Sequence, residues 1–327
     1  MSIFPICNKS ILDSSCLPLT LISLDEWVLV SVYGEDSTSY LQRQLTLNMN
    51  NINKKKHYLA AHCNSQGKMW SSLRLFYHNK GYTYIVRRTV HEKQTTELKK
   101  YIVCSKVKII IDRDSILLGL AGFDARIALS SLFNTLPDKI NSVVECNDST
   151  LLWFPYPTER FLIITTLIQA QKLKEKLDNK IQFSNSNQWV ALDIEAGIPI
   201  IDNVTSSKLI PQAANLQFLN AISFKKGCYI GQETVARTQF RGMNKRALYW
   251  LAGKANKIPN ASSSIKLKIG DKWITTGIVL SSVQLNNNII WVQVVMNKDI
   301  NLNSILGIEG DQNSELTIQK LPYSLKE

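Results

Sequence analysis

The run Lys226-Gly227-Cys228-Tyr229-Ile230-Gly231-Gln232-Glu233, continued by Arg237 and Arg241, gathers reactive side chains at a spacing that packing alone does not require. Glycine lifts the steric bar to unusual backbone angles and to close approach, so Gly227 and Gly231 predict a bend that presents Cys228 and Tyr229. The downstream residues read as a helix start, with Glu233 and Arg237 at i and i+4, the favourable order for a helical ion pair. Between Lys225 and Arg246 six cations face a single carboxylate. Positive charge and a helix N-terminus favour the thiolate, the form of cysteine that attacks electrophiles or binds metal. Cys228 is therefore a candidate nucleophile or transient ligand. Lys226 and Arg237 are candidates to hold its thiolate, although Arg237 has the alternative of pairing only with Glu233. The competing reading of a free cysteine is a small buried hydrophobe, and Tyr229 reads equally as an aromatic wall or as packing.

Lys-Gly-Cys-Tyr-x-Gly-Gln-Glu-x-x-x-Arg resembles the signature of the YgfZ family, folate-binding relatives of the glycine-cleavage aminomethyltransferase. The likeness continues at Asp36 to Gln44 (Asp-Ser-Thr-Ser-Tyr-Leu-Gln-Arg-Gln), at Ala60 to Phe76 (Ala-Ala-His-Cys-Asn-Ser-Gln-Gly-Lys-Met-Trp-Ser-Ser-Leu-Arg-Leu-Phe), and at the tail Leu321-Pro322-Tyr323-Ser324-Leu325. The resemblance implies an α+β fold in which two interleaved antiparallel domains, residues 1–243, precede a C-terminal β-barrel, residues 244–327. It further implies folate (tetrahydrofolate) as the cofactor, and a role in supporting iron–sulfur client proteins, such as a radical tRNA methylthiotransferase, so that thiomethylation of some tRNAs depends on the chain.

Folate makes specific demands. Its pterin edge offers neighbouring N–H donors that one carboxylate can accept, and its flat ring wants an aromatic face in a mostly apolar cleft. Trp189-Val190-Ala191-Leu192-Asp193-Ile194-Glu195-Ala196-Gly197 supplies both, with Trp189 and Glu195 on one face if the segment is extended. The resemblance assigns the pterin contact to Glu195 in Glu-Ala-Gly and pairs Trp189 with Trp27 as folate contacts. On the residues alone a tryptophan is more often core than ligand, and Asp193 is the local rival of Glu195.

Ser71-Ser72 is where the chain departs from the aminomethyltransferases, which carry adjacent aspartates after their Asn-x-x-Gly turn, here Asn64-Ser65-Gln66-Gly67. Serine near its unperturbed acidity cannot do general-base or cation-stabilising work there, and no neighbouring histidine offers to activate it. The expectation is thus a folate-binding accessory protein without conventional catalysis. A folate-dependent aminomethyl or methyl transferase is the alternative, and a direct RNA-binding protein, with direct tRNA contact supported by net charge alone, is a third reading.

The elements that must position these residues follow from periodicity. Strands are predicted over 57–63, 69–77 and 82–88, the last two joined by a turn at Asn79-Lys80-Gly81. A helix is predicted at 90–103, strands at 106–111 and 115–120, and a helix at 122–134 with Asp124 in its first turn. Strands near 150–155 and 160–166 then precede a helix at 168–179. Repeated strands followed by a helix give antiparallel sheets with helices on one face. From about residue 244 short alternating runs (247–252, 264–269, 273–280, 289–296) predict a barrel or sandwich.

Composition sets the outer bounds. The chain has 327 residues and a formal net charge of +12. A basic surface attracts phosphates, but the Lys, Asn and Ile enrichment runs throughout, so charge by itself does not locate an RNA surface. No RNA-binding strand motif, Gly-x-x-Gly clamp or basic recognition helix is present, and a folate polyglutamate tail explains the charge equally well. Cys7, Cys16, Cys63, Cys104, Cys146 and Cys228 show no disulfide framework and no Cys-x-x-Cys, and the histidines lack zinc-finger spacing. His62 and Cys63, adjacent on a predicted strand, point to opposite faces and are poorly placed to share an ion. No apolar run reaches the roughly 18 residues of a membrane helix, and no basic stretch precedes an apolar core at the N-terminus. A cytoplasmic protein is expected.

Overall fold

The computed structural model describes residues 10–103, 105–146, 148–177, 181–270 and 272–325. Cys7 and Cys104 lie outside them. In chain order the elements are β1 (Thr20–Ser23), β2 (Trp27–Tyr33), α1 (Ser37–Gln42), β3 (Tyr58–Cys63), β4 (Met69–His78), β5 (Gly81–Arg87), α2 (His91–Lys99), β6 (Lys108–Asp112) and β7 (Ile116–Ala121). There follow α3 (Ala125–Ser130), β8 (Val143–Cys146), β9 (Ser149–Phe154), β10 (Arg160–Thr165), α4 (Leu167–Leu177), β11 (Gln182–Ser184), α5 (Ser186–Glu195) and α6 (Gln232–Phe240). The remaining strands are β12 (Arg246–Lys254), β13 (Ser264–Ile269), β14 (Lys272–Gln284), β15 (Ile289–Asn297), β16 (Leu306–Ile308) and β17 (Glu315–Gln319).

These strands make a six-stranded sheet, β11-β1-β7-β10-β9-β8, a five-stranded sheet, β3-β4-β5-β2-β6, and a closed barrel, β12-β15-β14-β13-β16-β17. The architecture is α+β, as the pattern predicts, and the C-terminal strands form a barrel, which the pattern left open beside a sandwich and the family resemblance implies. The chain divides into two compact units, each discontinuous in sequence. The first takes 10–41, Met49–Tyr58 and Leu73–Leu192, and the second Gln42–Asn48, Leu59–Ser72 and 193–325. In the first unit Leu21, Leu118, Leu120, Phe161 and Ile163 of the six-stranded sheet pack against Leu129 of α3 and Leu173 of α4. In the second, the barrel fills its interior with Tyr249, Leu251, Val279, Val292, Val294 and Leu306. Closure pairs β12 with β17 and leaves no free edge for another chain to extend.

Local chemistry explains the boundaries. The hairpin between β4 and β5 turns on Asn79 and Lys80, whose φ angles are 50° and 61°, the mirror-type turn that suits strand twist, with His78 already paired to Gly81. The helix predicted at 122–134 is shorter. Asp124 stands outside it as the N-cap with φ 62°, and the Ser130 and Ser131 hydroxyls donate to the carbonyls of Ile127 and Ala128 at 2.7 Å each, ending the helix at Ser130.

The main correction concerns 186–195. This stretch is helical, not extended, and Asn185 caps it by accepting the Asn187 N–H at 3.0 Å. Residues 189–194 are all buried. A helix buried on most of its surface shows no amphipathic period, so the sequence leaves the segment's conformation open between strand and helix. No helix among the described residues is long and apolar enough to cross a membrane.

Burial lowers the pKa of His57, which also feels the Arg74 charge, and of His62 from 6.5 to about 3, so both are neutral in the native state. The unfolded chain binds the extra protons below pH 6.5, so stability present at neutral pH is lost as the pH falls from about 6.5 toward 3. The expected loss is about 2 kcal/mol per histidine between pH 6.5 and 5. Urea unfolding at a series of pH values checks this: His62→Gln should flatten the acid limb by about one proton, and an unchanged slope would refute it.

Candidate functional site

The Cys228 loop is shaped by a backbone approach between two glycines. Gly231 is the N-cap of α6 at φ 81°, and a Cβ there would lie 2.4 Å from the Asn64 carbonyl oxygen and 2.8 Å from Gly67 Cα. Gly67 is itself left-handed, at φ 75°. The Asn64–Lys68 turn that carries Gly67 is closed by the Asn64 carboxamide oxygen, which accepts the N–H groups of Gln66 at 3.0 Å and Lys68 at 2.9 Å. The Asn-x-x-Gly block and the Gly-Gln-Glu block, remote in sequence, thus form one contact. Gly227 differs from expectation. Its φ is not positive and a Cβ there meets open space, so the bend rests on Gly231 alone.

Anchors on either side hold the loop. On the N-terminal side the Lys226 ammonium donates to the carbonyls of Gln42, Leu45 and Leu47 at 2.7, 2.7 and 2.6 Å. On the C-terminal side the Ile230 N–H donates to Arg43 O at 3.1 Å. Tyr229 between them is 7% exposed and turns inward, and its N–H donates to Gln232 Oε1 while the Gln232 N–H donates to Tyr229 O. Burial, and then the neighbouring Cys63, push the Tyr229 phenol up, and Lys226 Nζ sits 4.8 Å from its ring centroid. Tyr229 is packing. Cys228, one residue before it, is exposed.

Lys226 therefore differs from its expected part. All its N–H donors are committed to carbonyl oxygens, so it fastens the loop and does not hydrogen-bond the Cys228 sulfur. Burial lowers its pKa to about 8, against the three carbonyls that favour the charged form. Arg237 and Glu233 are both exposed on α6, and no ion pair joins them.

At the aminomethyltransferase aspartate positions, Ser71 is fully buried on β4 and its hydroxyl has no hydrogen-bond partner, while the Ser72 hydroxyl donates to Pro199 O at 2.9 Å. Neither side chain is placed as a base. The barrel holds the same 198–200 segment: Gln293 of β15 donates to Ile198 O and accepts the Ile200 N–H, both at 2.8 Å. Just upstream, Gly197 stands at φ 65° with the Tyr323 hydroxyl donating to its carbonyl at 2.8 Å, and a Cβ there would lie 2.7 Å from that hydroxyl. The tail block seen in the sequence thus packs on the glycine of Glu-Ala-Gly.

Trp27 and Trp189 both belong to the first unit. Trp27 opens β2 opposite Arg87, whose guanidinium lies 4.6 Å from the indole centroid. It lines a cleft of about 500 Å³ with Arg88, His91, Asp112 and Arg113 among the other walls. Trp189 is 3% exposed, with Arg160 4.3 Å from its ring centroid, Phe154 edge-on at 5.6 Å, and Gly119 close enough that a Cβ would meet the indole at 2.6 Å. On a helix, the six steps from Trp189 to Glu195 leave the two side chains about 120° apart around the axis, so they do not share a face, whereas Trp189 and Asp193 at i and i+4 do. Glu195 ends α5, half-buried. The arginines over the two tryptophans were missed in the sequence. Arg87 follows from strand register, but nothing local marks Arg160.

A two-sheet α+β body with a closed C-terminal barrel is the fold of the glycine-cleavage aminomethyltransferases. The aminomethyltransferase T of Bartonella henselae superimposes with a TM-score of 0.73, covering 94% of this chain and 87% of its own, at 15% identity. Sequence narrows the class. Residues 244–311 match the YgfZ β-barrel domain. A tRNA-modifying protein YgfZ of Yersinia enterocolitica serotype O:8 is 52% identical over 323 residues, 99% of this chain and 98% of its own. One of Photorhabdus laumondii is 52% identical over 324 residues with the same coverage. The chain belongs to the YgfZ family.

The glycine contact yields a paired prediction. Gly231→Ala, clashing with Asn64 O at a left-handed position, should cost about 2–4 kcal/mol, while Gly227→Ala should stay within about 0.5 kcal/mol of the parent. Denaturant midpoints of the two variants side by side check it, and equal effects would remove the contact from the account.

Proposed function

We propose that this chain is a cytoplasmic folate-binding accessory protein that supports iron–sulfur enzymes and thereby the thiomethylation of some tRNAs, with Cys228 as its reactive group. The observation that carries the reading is the presentation of Cys228: exposed, with both flanks fastened and the neighbouring side chain turned inward. Such a thiol is held at a fixed place in solvent, open to a partner or an acceptor. The relatives' name, tRNA-modifying protein, supports the same direction. Residues 1–243 and 244–327 are kept as the working domain division, supported by the barrel match that begins at residue 244.

Tetrahydrofolate is assigned to Trp27, Trp189 and Glu195. The cleft beside Trp27 is within the usual size of a small-molecule site, and bound folate would supply a one-carbon carrier. Trp27 offers the ring beside that cleft, while Trp189 keeps Arg160 in place and Glu195 offers the carboxylate for the pterin N–H groups. Arg237, exposed on the helix that follows Cys228, supplies positive charge to a thiolate. Aminomethyl transfer is disfavoured, because Ser71 is buried and Ser72 is committed to Pro199.

Two experiments test this reading. Cys228→Ala should fold as the parent does, yet lower thiomethylated tRNA in a complemented null strain, and full modification would take the cysteine out of the mechanism. Tetrahydrofolate should quench tryptophan fluorescence saturably. Trp27→Ala should weaken binding about tenfold, the effect of losing a stacking contact, with a smaller loss for Trp189→Phe, and an unchanged affinity in both would withdraw the folate assignment.

A further inference from the structure

The outward face of α6 and the turn after it carry two exposed apolar side chains, Phe240 and Met243, that the cysteine and folate readings leave unused, although the cysteine reading draws on Arg237 of the same helix. Val235 and Thr238 point into the core, whereas Glu233, Arg237, Phe240 and Arg241 lie at i, i+4, i+7 and i+8 and are all exposed. Phe240 is 75% exposed and Met243, just past the helix, 56%. Among the described residues the one ring against Phe240 is that of Phe224, edge-on at 6.2 Å between centroids. Lys225, Arg237, Arg241 and Lys245 are exposed on this stretch, and Glu233 is its one carboxylate. Among the described residues Arg237 and Arg241 form no ion pair. Cations near a helix C-terminus complement its dipole, which accounts for Arg237 and Arg241 but not for an aromatic ring left in water between them.

We propose that this face, Phe240 and Met243 flanked by Arg237, Arg241, Lys225 and Lys245, binds single-stranded RNA. Size favours that occupant over an acidic protein. Two apolar side chains fall far short of the roughly 800 Å² per partner that a stable protein interface buries, yet one ring suffices to stack a base, and base–aromatic stacking next to cations that track the phosphates is how single strands are held without sequence readout. A duplex hides its bases and would engage the cations alone. The inference does not rest on folate binding or on Cys228 chemistry.

The test is fluorescence anisotropy of a labelled 12-nucleotide single-stranded RNA with the full chain, across a salt series. Saturable binding is expected, weakened about tenfold by Phe240→Ala with the salt slope unchanged. Arg237→Gln combined with Arg241→Gln should reduce that slope by about 1.4, two phosphates at about 0.7 each. A duplex of the same sequence should show no dependence on Phe240. All three substituted positions are exposed, so the variants should keep the parent's thermal midpoint. An affinity indifferent to Phe240→Ala would reduce the face to nonspecific charge, and the absence of saturation would overturn the proposal outright. Displacement of the RNA by a polyglutamate peptide whose own binding needs Phe240 would assign the face to an acidic protein instead.

Discussion

The approach of Gly231 to Gly67 is the constraint from which the geometry around Cys228 follows. Only residues without a Cβ can bring these backbones so close while both stand in the left-handed region. Once they meet, α6 has one place to start. The exchange between Gln232 and the Tyr229 main chain then sends the tyrosine ring inward, and Ile230 is left to bond Arg43. Lys226 completes the arrangement from the other side by satisfying three carbonyls of the 42–48 segment at the expense of burying an ammonium. An exposed cysteine between two such fastenings has little backbone freedom.

The same economy of chemistry holds along β4. A strand that could have carried aspartates carries instead a serine sealed in the core and a serine bonded to Pro199. The fold shared with the aminomethyltransferase T structure is kept, while the hydroxyls of these two strand positions are given over to the core and to a backbone carbonyl. Arginine–tryptophan contacts recur at Trp27 and Trp189, where a guanidinium lies over each indole. They tie each ring to a neighbouring strand, Arg87 on β5 and Arg160 on β10.

Much was legible in the residues. Alternation of apolar and polar side chains over short runs located the central strands and those of the C-terminal domain, because period two is written directly into a half-buried strand. The Cys228 motif was legible because glycine, lysine and cysteine at that spacing have few structural reasons to coincide. The 186–195 segment was not, since a helix buried on most of its surface loses the signal that distinguishes it from a strand. With that, the supposed common face of Trp189 and Glu195 dissolved, and Asp193 took the position beside Trp189.

By itself the sequence determined the α+β class, an all-β C-terminal domain, the family resemblance and the presence of a distinctive cysteine, all of which depend on local pattern and residue type. Tertiary structure decided what the neighbours of that cysteine do. Lys226 became a fastening and not a partner of the sulfur, Gly231 and not Gly227 bore the bend, and Asn64–Gly67 and the tail tyrosine were brought against glycines far away in the chain. Those outcomes depend on which carbonyls and which backbones lie opposite, and long-range apposition of that kind leaves no periodic trace in sequence.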